Sequence, residues 1–406
     1  MKTHKYLPEL LLVMAGAFFW LIGLYVSKGN IHFWEHNPFD IHTEQAQSWL
    51  NFEATVPNDP WNEVAFFKNK YYNSFPLVPS LLEIPWVIFF KRATPNVLSA
   101  FLVMLLAMIA MYRLAVILGV TQVCAFFTAL LFTFGTNLSL LILQGGVWPQ
   151  GQVFGYCFAI FGLALLVAPS RFKRGLGYTC LSLAVGCRPF YVFMLPVFLT
   201  FENSRFNSEN FQKKIWRGLL FFLPFFSILA AYNWYRFDYP WEFGHKYLPV
   251  EHKLINGSFS FLYVKNNAIH VFLTLPKFLK DNYYLKFDSF GTAFWINNII
   301  VVASFSALFL RTISWQFKSC IIGSVGMIWC LLLLHHSNGW MQFGYRYIVD
   351  ILPIVFLLSV FRIRKMTPQF IALILFSIAI NLYGNFWFFT RPAETYPPIL
   401  SERYHW

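Results

Sequence analysis

Long apolar runs alternate along the chain with short clusters of basic residues. The runs at 7–26, 97–118, 122–143, 151–168, 218–234, 295–310, 320–334, 347–361 and 371–389 approach or reach the roughly 20 residues of helix that cross a bilayer. Lipid offers the backbone no hydrogen bonds, so each run is predicted to satisfy its own polar groups as a helix. None alternates with the period of two that a membrane β-barrel requires. The first run follows Lys2 and Lys5 as a signal peptide would. It lacks a small-residue cleavage site and exceeds a typical signal core, so a retained helix is expected.

Basic clusters mark cytoplasmic loops. Taken in that way, Lys2 and Lys5, then Arg171, Lys173 and Arg174, then Arg205, Lys213, Lys214 and Arg217, then Arg311 and Lys318, and finally Arg362, Arg364 and Lys365 fix the parity of the helices. The segment 75–90 contains Pro76, Pro79, Glu83 and Pro85 and ends at Lys91 and Arg92. If it crossed, every later cluster up to Arg174 would face the wrong side, so it is read as a juxtamembrane helix on the outer face. The run 175–201 is basic at both flanks, and a break at Gly186-Cys187-Arg188-Pro189 divides it into two short helices. The expectation is an all-α, polytopic helical membrane protein of about eleven spans, a single domain over 1–406. Its large extracytoplasmic loops are 28–96 and 235–294, its carboxyl tail ends outside, and its place is the inner (plasma) membrane.

Composition agrees with this picture. Of 406 residues, 57% are hydrophobic and 12% charged, where a soluble domain carries about a quarter charged. The net charge of +13 comes from the interhelical clusters, which suits anionic headgroups and gives no reason to expect nucleic acid. The six cysteines lie in or beside apolar runs without metal-ligand spacing and read as small buried hydrophobes. No internal repeat is visible and few charges sit mid-span, against the usual pattern of transporters. A site is therefore expected in a cavity beneath the two outer loops.

The first loop reads His36-Asn37-Pro38-Phe39-Asp40-Ile41-His42-Thr43-Glu44-Gln45-Ala46-Gln47. Asp40, Thr43, Glu44 and Gln47 recur at helical spacing and can share a face. A carboxylate there can take the proton of an attacking sugar hydroxyl, while Asp40 equally suits a helix N-cap. His32, His36 and Asp40 stand four apart, but Pro38 interrupts any helix that would align them, so no metal site is assigned. Further on, Asn69 suits a turn, Tyr71 and Tyr72 suit the headgroup belt, and Lys70 can hold a lipid phosphate or simply snorkel.

The acidic first loop, with Lys70-Tyr71-Tyr72-Asn73-Ser74-Phe75-Pro76 and Pro79, resembles the GT-C glycosyltransferases of the family 39 type in a bacterial branch. Tyr232-Asn233-Trp234-Tyr235-Arg236-Phe237 with Trp241-Glu242-Phe243-Gly244 is similar to that branch again. So is Gly339-Trp340-Met341-Gln342-Phe343-Gly344-Tyr345-Arg346-Tyr347-Ile348-Val349-Asp350. The blocks span most of the chain. The chain departs where family members often have two prolines, here Pro76-Leu77, and where they often have glycine, here Asp238.

The resemblance implies an inverting transferase that moves a sugar from a polyprenyl-phosphate donor to an envelope glycan, lipid or protein acceptor, with Asp40 or Glu44 as the catalytic carboxylate. The phosphate leaving group then needs a cation. Arg346, at the outer end of a span, is the first choice, with Asp350 one helical turn on to orient it or pair with it. Arg188 and Lys70 are further candidates. Tyr71, Tyr72, Glu242 and His245 join them as substrate-binding residues, because aromatic faces beside polar groups suit sugar rings. No cofactor motif is present, and assistance by a divalent cation is left open. A flippase for a lipid-linked saccharide and a non-catalytic envelope assembly protein are the competing readings.

Overall fold

A computed structural model of the chain describes residues 6–58, 63–249, 251, 254–280, 284–339 and 341–391. Lys2, Lys5, Trp340 and the carboxyl tail lie outside the described residues. Among the described residues, six helices are long and apolar enough to cross a membrane: Leu7–Lys28, Asn96–Ile117, Val147–Leu166, Phe211–Phe237, Trp315–Leu334 and Pro368–Thr390. A bent pair, Gln122–Phe134 and Leu138–Gln144, makes a seventh if counted as one span. The protein is thus a multi-pass membrane protein.

These six or seven fall short of the about eleven spans expected, and several of the expected runs are broken for local reasons. The 122–143 run bends by 59° at Gly135, which packs so closely that a Cβ there would stand 2.6 Å from Leu131 Cδ1 and 2.9 Å from Ser377 Cβ. The 175–201 run breaks at Pro189 as its sequence predicts, giving Arg171–Val185, the 3-10 turns Pro189–Met194 and Leu195–Arg205. The 295–310 run divides at Asn298 into Phe294–Asn297, Ile299–Phe305 and the 3-10 turn Ser306–Phe309. The 347–361 run begins as the 3-10 segment Arg346–Ile351 before Leu352–Arg362 becomes α-helical. Val78–Phe90 has only 13 residues, about 20 Å of helix, too short for the roughly 30 Å of a hydrocarbon core.

The Val147–Leu166 helix is the centre of the fold. It packs against Asn96–Ile117 on one side and Arg171–Val185 on the other. Gly162 and Gly177 let the backbones of Val147–Leu166 and Arg171–Val185 touch: a Cβ on Gly162 would lie 2.8 Å from the Gly177 carbonyl oxygen. Small residues permit such approach where hydrophobic burial gives lipid-embedded helices no net drive.

The all-α expectation misses three two-stranded sheets found among the described residues of the loops. Val64–Phe67 and Lys70–Asn73 form an antiparallel hairpin. Lys68 and Asn69 turn it with φ of +49° and +59°, the left-handed pair that a tight hairpin demands. Lys277–Leu279 pairs with Tyr284–Lys286. Phe290–Thr292 runs parallel to Gln342–Gly344, which fastens the second loop to the backbone just before Arg346.

At the end of the bundle that carries the basic clusters, a buried ion network joins three helices. Arg174 Nε donates to Glu202 Oε1 at 2.7 Å and its Nη2 to Glu209 Oε2 at 2.8 Å. Arg217 donates to both of these carboxylates, and the Tyr178 hydroxyl donates to Glu202 Oε2 at 2.8 Å.

Candidate functional site

At the opposite end, about 30 Å away along a 20-residue helix, a cavity of about 360 Å³ opens where Val147–Leu166 begins and Trp315–Leu334 ends. Phe75, Pro76, Trp148, Phe190, Phe243, Phe259 and Leu332 give it an apolar and largely aromatic wall. Its polar lining comes from His42, Glu63, Arg188, His245, Glu251, Ser258, His335, His336 and Arg346.

Arg346 is fixed through its backbone. Its N–H donates to Gln342 Oε1 at 3.1 Å, and its carbonyl accepts from Gln152 Nε2 at 3.2 Å. The side chain is only 3% exposed. Its Nε and Nη1 have no hydrogen-bond partner, while the guanidinium lies 5.8 Å from the Trp148 ring centre and 5.4 Å from that of Tyr347. Gly339, at φ +78°, gives it room: a Cβ there would sit 3.3 Å from Arg346 Nε. A buried cation with open donors carries a desolvation cost that an anion of matching geometry would offset.

Arg188 is the contrary case. Its Nε and Nη2 donate to the two oxygens of Asp350 at 3.1 and 2.6 Å, so its charge is answered. The expected Arg346 and Asp350 partnership therefore does not form. The segment Arg346–Ile351 is a 3-10 helix, in which residues three apart eclipse and residues four apart diverge; Asp350 consequently turns to Arg188.

The cavity holds two carboxylates. Glu251 uses both oxygens, one accepting from the Ser258 hydroxyl and the other 3.1 Å from His336 Nε2. Glu63 accepts from the Trp148 indole N–H at 3.3 Å through Oε2 alone. Burial pushes the Glu63 carboxyl above its ordinary range, against the pull of the Trp148 N–H and the Arg346 charge. Burial also lowers two histidines to about 4, His42 and His335. Neutral His42 donates from Nε2 to the Val147 carbonyl at 3.2 Å and meets the Ser80 hydroxyl at Nδ1.

The first-loop acids do not line this cavity. Asp40 is 2% exposed and is committed as the N-cap of Ile41–Leu50, accepting from the N–H groups of His42 and Thr43 at 3.1 Å each. It accepts further bonds from the Thr43 hydroxyl and Asn96 Nδ2. Its segment forms a septum in which Val147 N–H donates to the Phe39 carbonyl at 2.7 Å. Behind the septum lies a second cavity of about 470 Å³, lined by His36, Asn37, Gln144 and the paired Lys28 and Glu35. Glu44 faces Arg92 at 3.5 Å.

Of the other residues singled out in the sequence, Arg188, His245 and Arg346 reach the cavity. Lys70 is exposed on its hairpin, whereas Tyr71 and Tyr72 pack against Phe66 and Phe237 respectively. Glu242 accepts from the Gly244 N–H at 2.7 Å and pairs with Lys246 at 3.1 Å. Sequence reasoning missed Glu63, Trp148, Glu251, His335 and His336. The two histidines had a visible signal, polar residues closing an apolar run; Glu63 had none. Among the described residues no three His, Cys, Asp or Glu side chains are grouped to hold a metal ion.

No family model matches the chain, and no curated protein matches it by sequence. Solved structures do match. ArnT from Cupriavidus metallidurans bound to undecaprenyl phosphate aligns with a TM-score of 0.53 at 14% identity, over 93% of this chain and 63% of that one. The oligosaccharyltransferase AglB from Archaeoglobus fulgidus, in complex with an inhibitory peptide and a dolichol-phosphate, aligns at 0.46 and 10% identity, over 97% and 56%. The chain thus spans less than two thirds of the length of the structures it matches. At these identities the likeness is one of fold alone, shared with ArnT over most of this chain.

Proposed function

We propose that the protein transfers a sugar from a polyprenyl-phosphate donor to an envelope glycan, lipid or protein acceptor, at the extracytoplasmic face of the membrane. The observation that carries this reading is Arg346, a buried guanidinium with two open donor atoms in an aromatic cavity. A phosphate seated there would receive charge-assisted hydrogen bonds, and these strengthen as the leaving group gains charge in the transition state. Trp148 and the neighbouring aromatic rings offer faces for the sugar. The fold shared with a protein whose structure holds undecaprenyl phosphate supports the donor class. The side is supported by the basic residues at the far end of the bundle, since such clusters are retained in the cytoplasm.

The reaction in this reading is a single displacement that inverts the anomeric centre. Purified protein in lipid nanodiscs, given polyprenyl-phosphate sugars and an acceptor, is expected to release polyprenyl phosphate. Arg346→Ala is expected to lower that release on the order of 10²-fold to 10³-fold, the usual effect of removing a charge-stabilising donor. Undiminished release by the variant, or none from the unaltered protein with any such donor, would overturn the reading.

A further inference from the structure

We propose that Glu63 is the catalytic base, the carboxylate that takes the acceptor's proton. The proposal rests on the transfer reading above and deepens it. Neither the pattern of the first loop nor the resemblance points to this residue.

The hydrogen bonds of the buried acids make the first case. Asp40 accepts four bonds as a cap. Both oxygens of Asp350 are held by Arg188, and both of Glu251 by Ser258 and His336. Glu83 is fully buried, bonded to Ser99 at 2.8 Å and Gln150 at 2.6 Å, and does not reach the cavity. Glu63 lines the cavity and makes one side-chain hydrogen bond, through Oε2. Its Oε1 is left open for a substrate hydroxyl.

The second case is positional. Trp148 serves the acid and the cation together, its N–H on Glu63 and its ring beside the Arg346 guanidinium. Yet Glu63 and Arg346 make no salt bridge with each other. In this proposal the anomeric carbon lies between the two, with the base on one side and the phosphate on the other. Glu63 is also one of few non-glycine residues with positive φ, at +52°, a conformation kept in place by the Ser74 hydroxyl, which donates to its carbonyl at 2.6 Å. Such a backbone persists only where its surroundings enforce it.

The step balances. The acceptor oxygen forms a bond to the anomeric carbon as the bond from that carbon to the phosphate oxygen breaks. The released electron pair stays on the phosphate, facing Arg346, and the hydroxyl proton passes to Glu63 Oε1 and then to water. Burial gives the carboxylate more proton affinity than a free glutamate, which suits a base. Arg346 opposes that rise and Glu251 adds to it.

The test compares Glu63→Gln, Glu63→Asp and the unaltered protein in nanodiscs, with three readouts: polyprenyl phosphate binding, its release from a sugar-loaded donor with acceptor present, and thermal stability. Glu63→Gln is expected to lower kcat by about 10²-fold to 10⁴-fold, with binding and melting temperature kept. The rise of rate with pH that marks a deprotonating base should flatten in Glu63→Gln and survive, displaced, in Glu63→Asp. A Glu63→Gln variant that turns over normally, or one that loses binding and stability together with rate, overturns this assignment while leaving the transfer reading intact. Absence of turnover in the unaltered protein overturns the transfer reading, and this one with it.

Discussion

Two buried charge clusters sit at opposite ends of the same bundle and are built on opposite principles. Around Glu202 and Glu209, two arginines meet two carboxylates and a tyrosine hydroxyl, with Glu202 fully buried and Arg174 3% exposed. Around Arg346, a guanidinium equally buried keeps two nitrogens without a partner. In the first cluster every carboxylate oxygen is bonded and both arginines meet carboxylates, with Arg217 Nε left over; in the second the guanidinium makes no ion pair among the described residues. Burial alone does not distinguish a structural charge from a functional one; whether a carboxylate answers it is the further difference here.

The contrast can be broken from either end. The largest effect is expected from Glu202→Gln, which strands Arg174 and Arg217 in the interior. Removing one partner of a buried pair costs about 3–5 kcal/mol, seen as a lower melting temperature and less folded protein, while polyprenyl phosphate binding per folded molecule stays the same. An unshifted melting curve would mean that the network does not hold the helices. Arg346→Ala should do the reverse, abolishing most activity while leaving the melting temperature level or higher, because it deletes an unanswered buried charge. A melting temperature that falls as far as in Glu202→Gln would make Arg346 structural after all.

Asp40→Asn separates the two classes of acid at the cavity end. An amide NH₂ in place of Oδ2 can accept from neither Thr43 nor Asn96, so about 1–2 kcal/mol of stability is expected to go, with the transfer rate per folded molecule nearly unchanged. If that rate collapsed while folding held, Asp40 would regain the role of base that Glu63 takes here. The gentlest probe is acid. Arg217 and its neighbours hold Glu209 down to about 2, from an ordinary 4.5. Its contribution is therefore present above about pH 4.5 and is lost as pH falls toward 2. Melting curves over that window should steepen their decline in the unaltered protein and flatten in Glu209→Gln.

How much could be foreseen varies with the range of the interaction. The break at Arg188-Pro189 was legible because proline acts on its own turn. The Lys68-Asn69 turn was half legible, since Asn tolerates positive φ, but the strands on either side are four residues each, too short to show an alternation. Asp40 illustrates the opposite difficulty. Capping and catalysis ask for the same residue at the same place, and only the presence of Thr43 and Asn96 around its oxygens separates them. Asp350 misled for a geometric reason: spacing of four implies contact on an α-helix, and the backbone there is a 3-10 helix.

The sequence by itself determined the membrane class, the helices whose apolar length suffices, and the basic clusters at one end, because these depend on transfer from water to lipid, a property each segment has alone. Tertiary structure alone decided which charges are answered. Glu63, Trp148 and Arg346 come from three separate stretches of chain, and whether a carboxylate is spent on a cap, an ion pair or an open cavity is set by neighbours far away in sequence. Hydrogen bonds and ion pairs saturate, so each group's remaining capacity is known only when all its partners are in place.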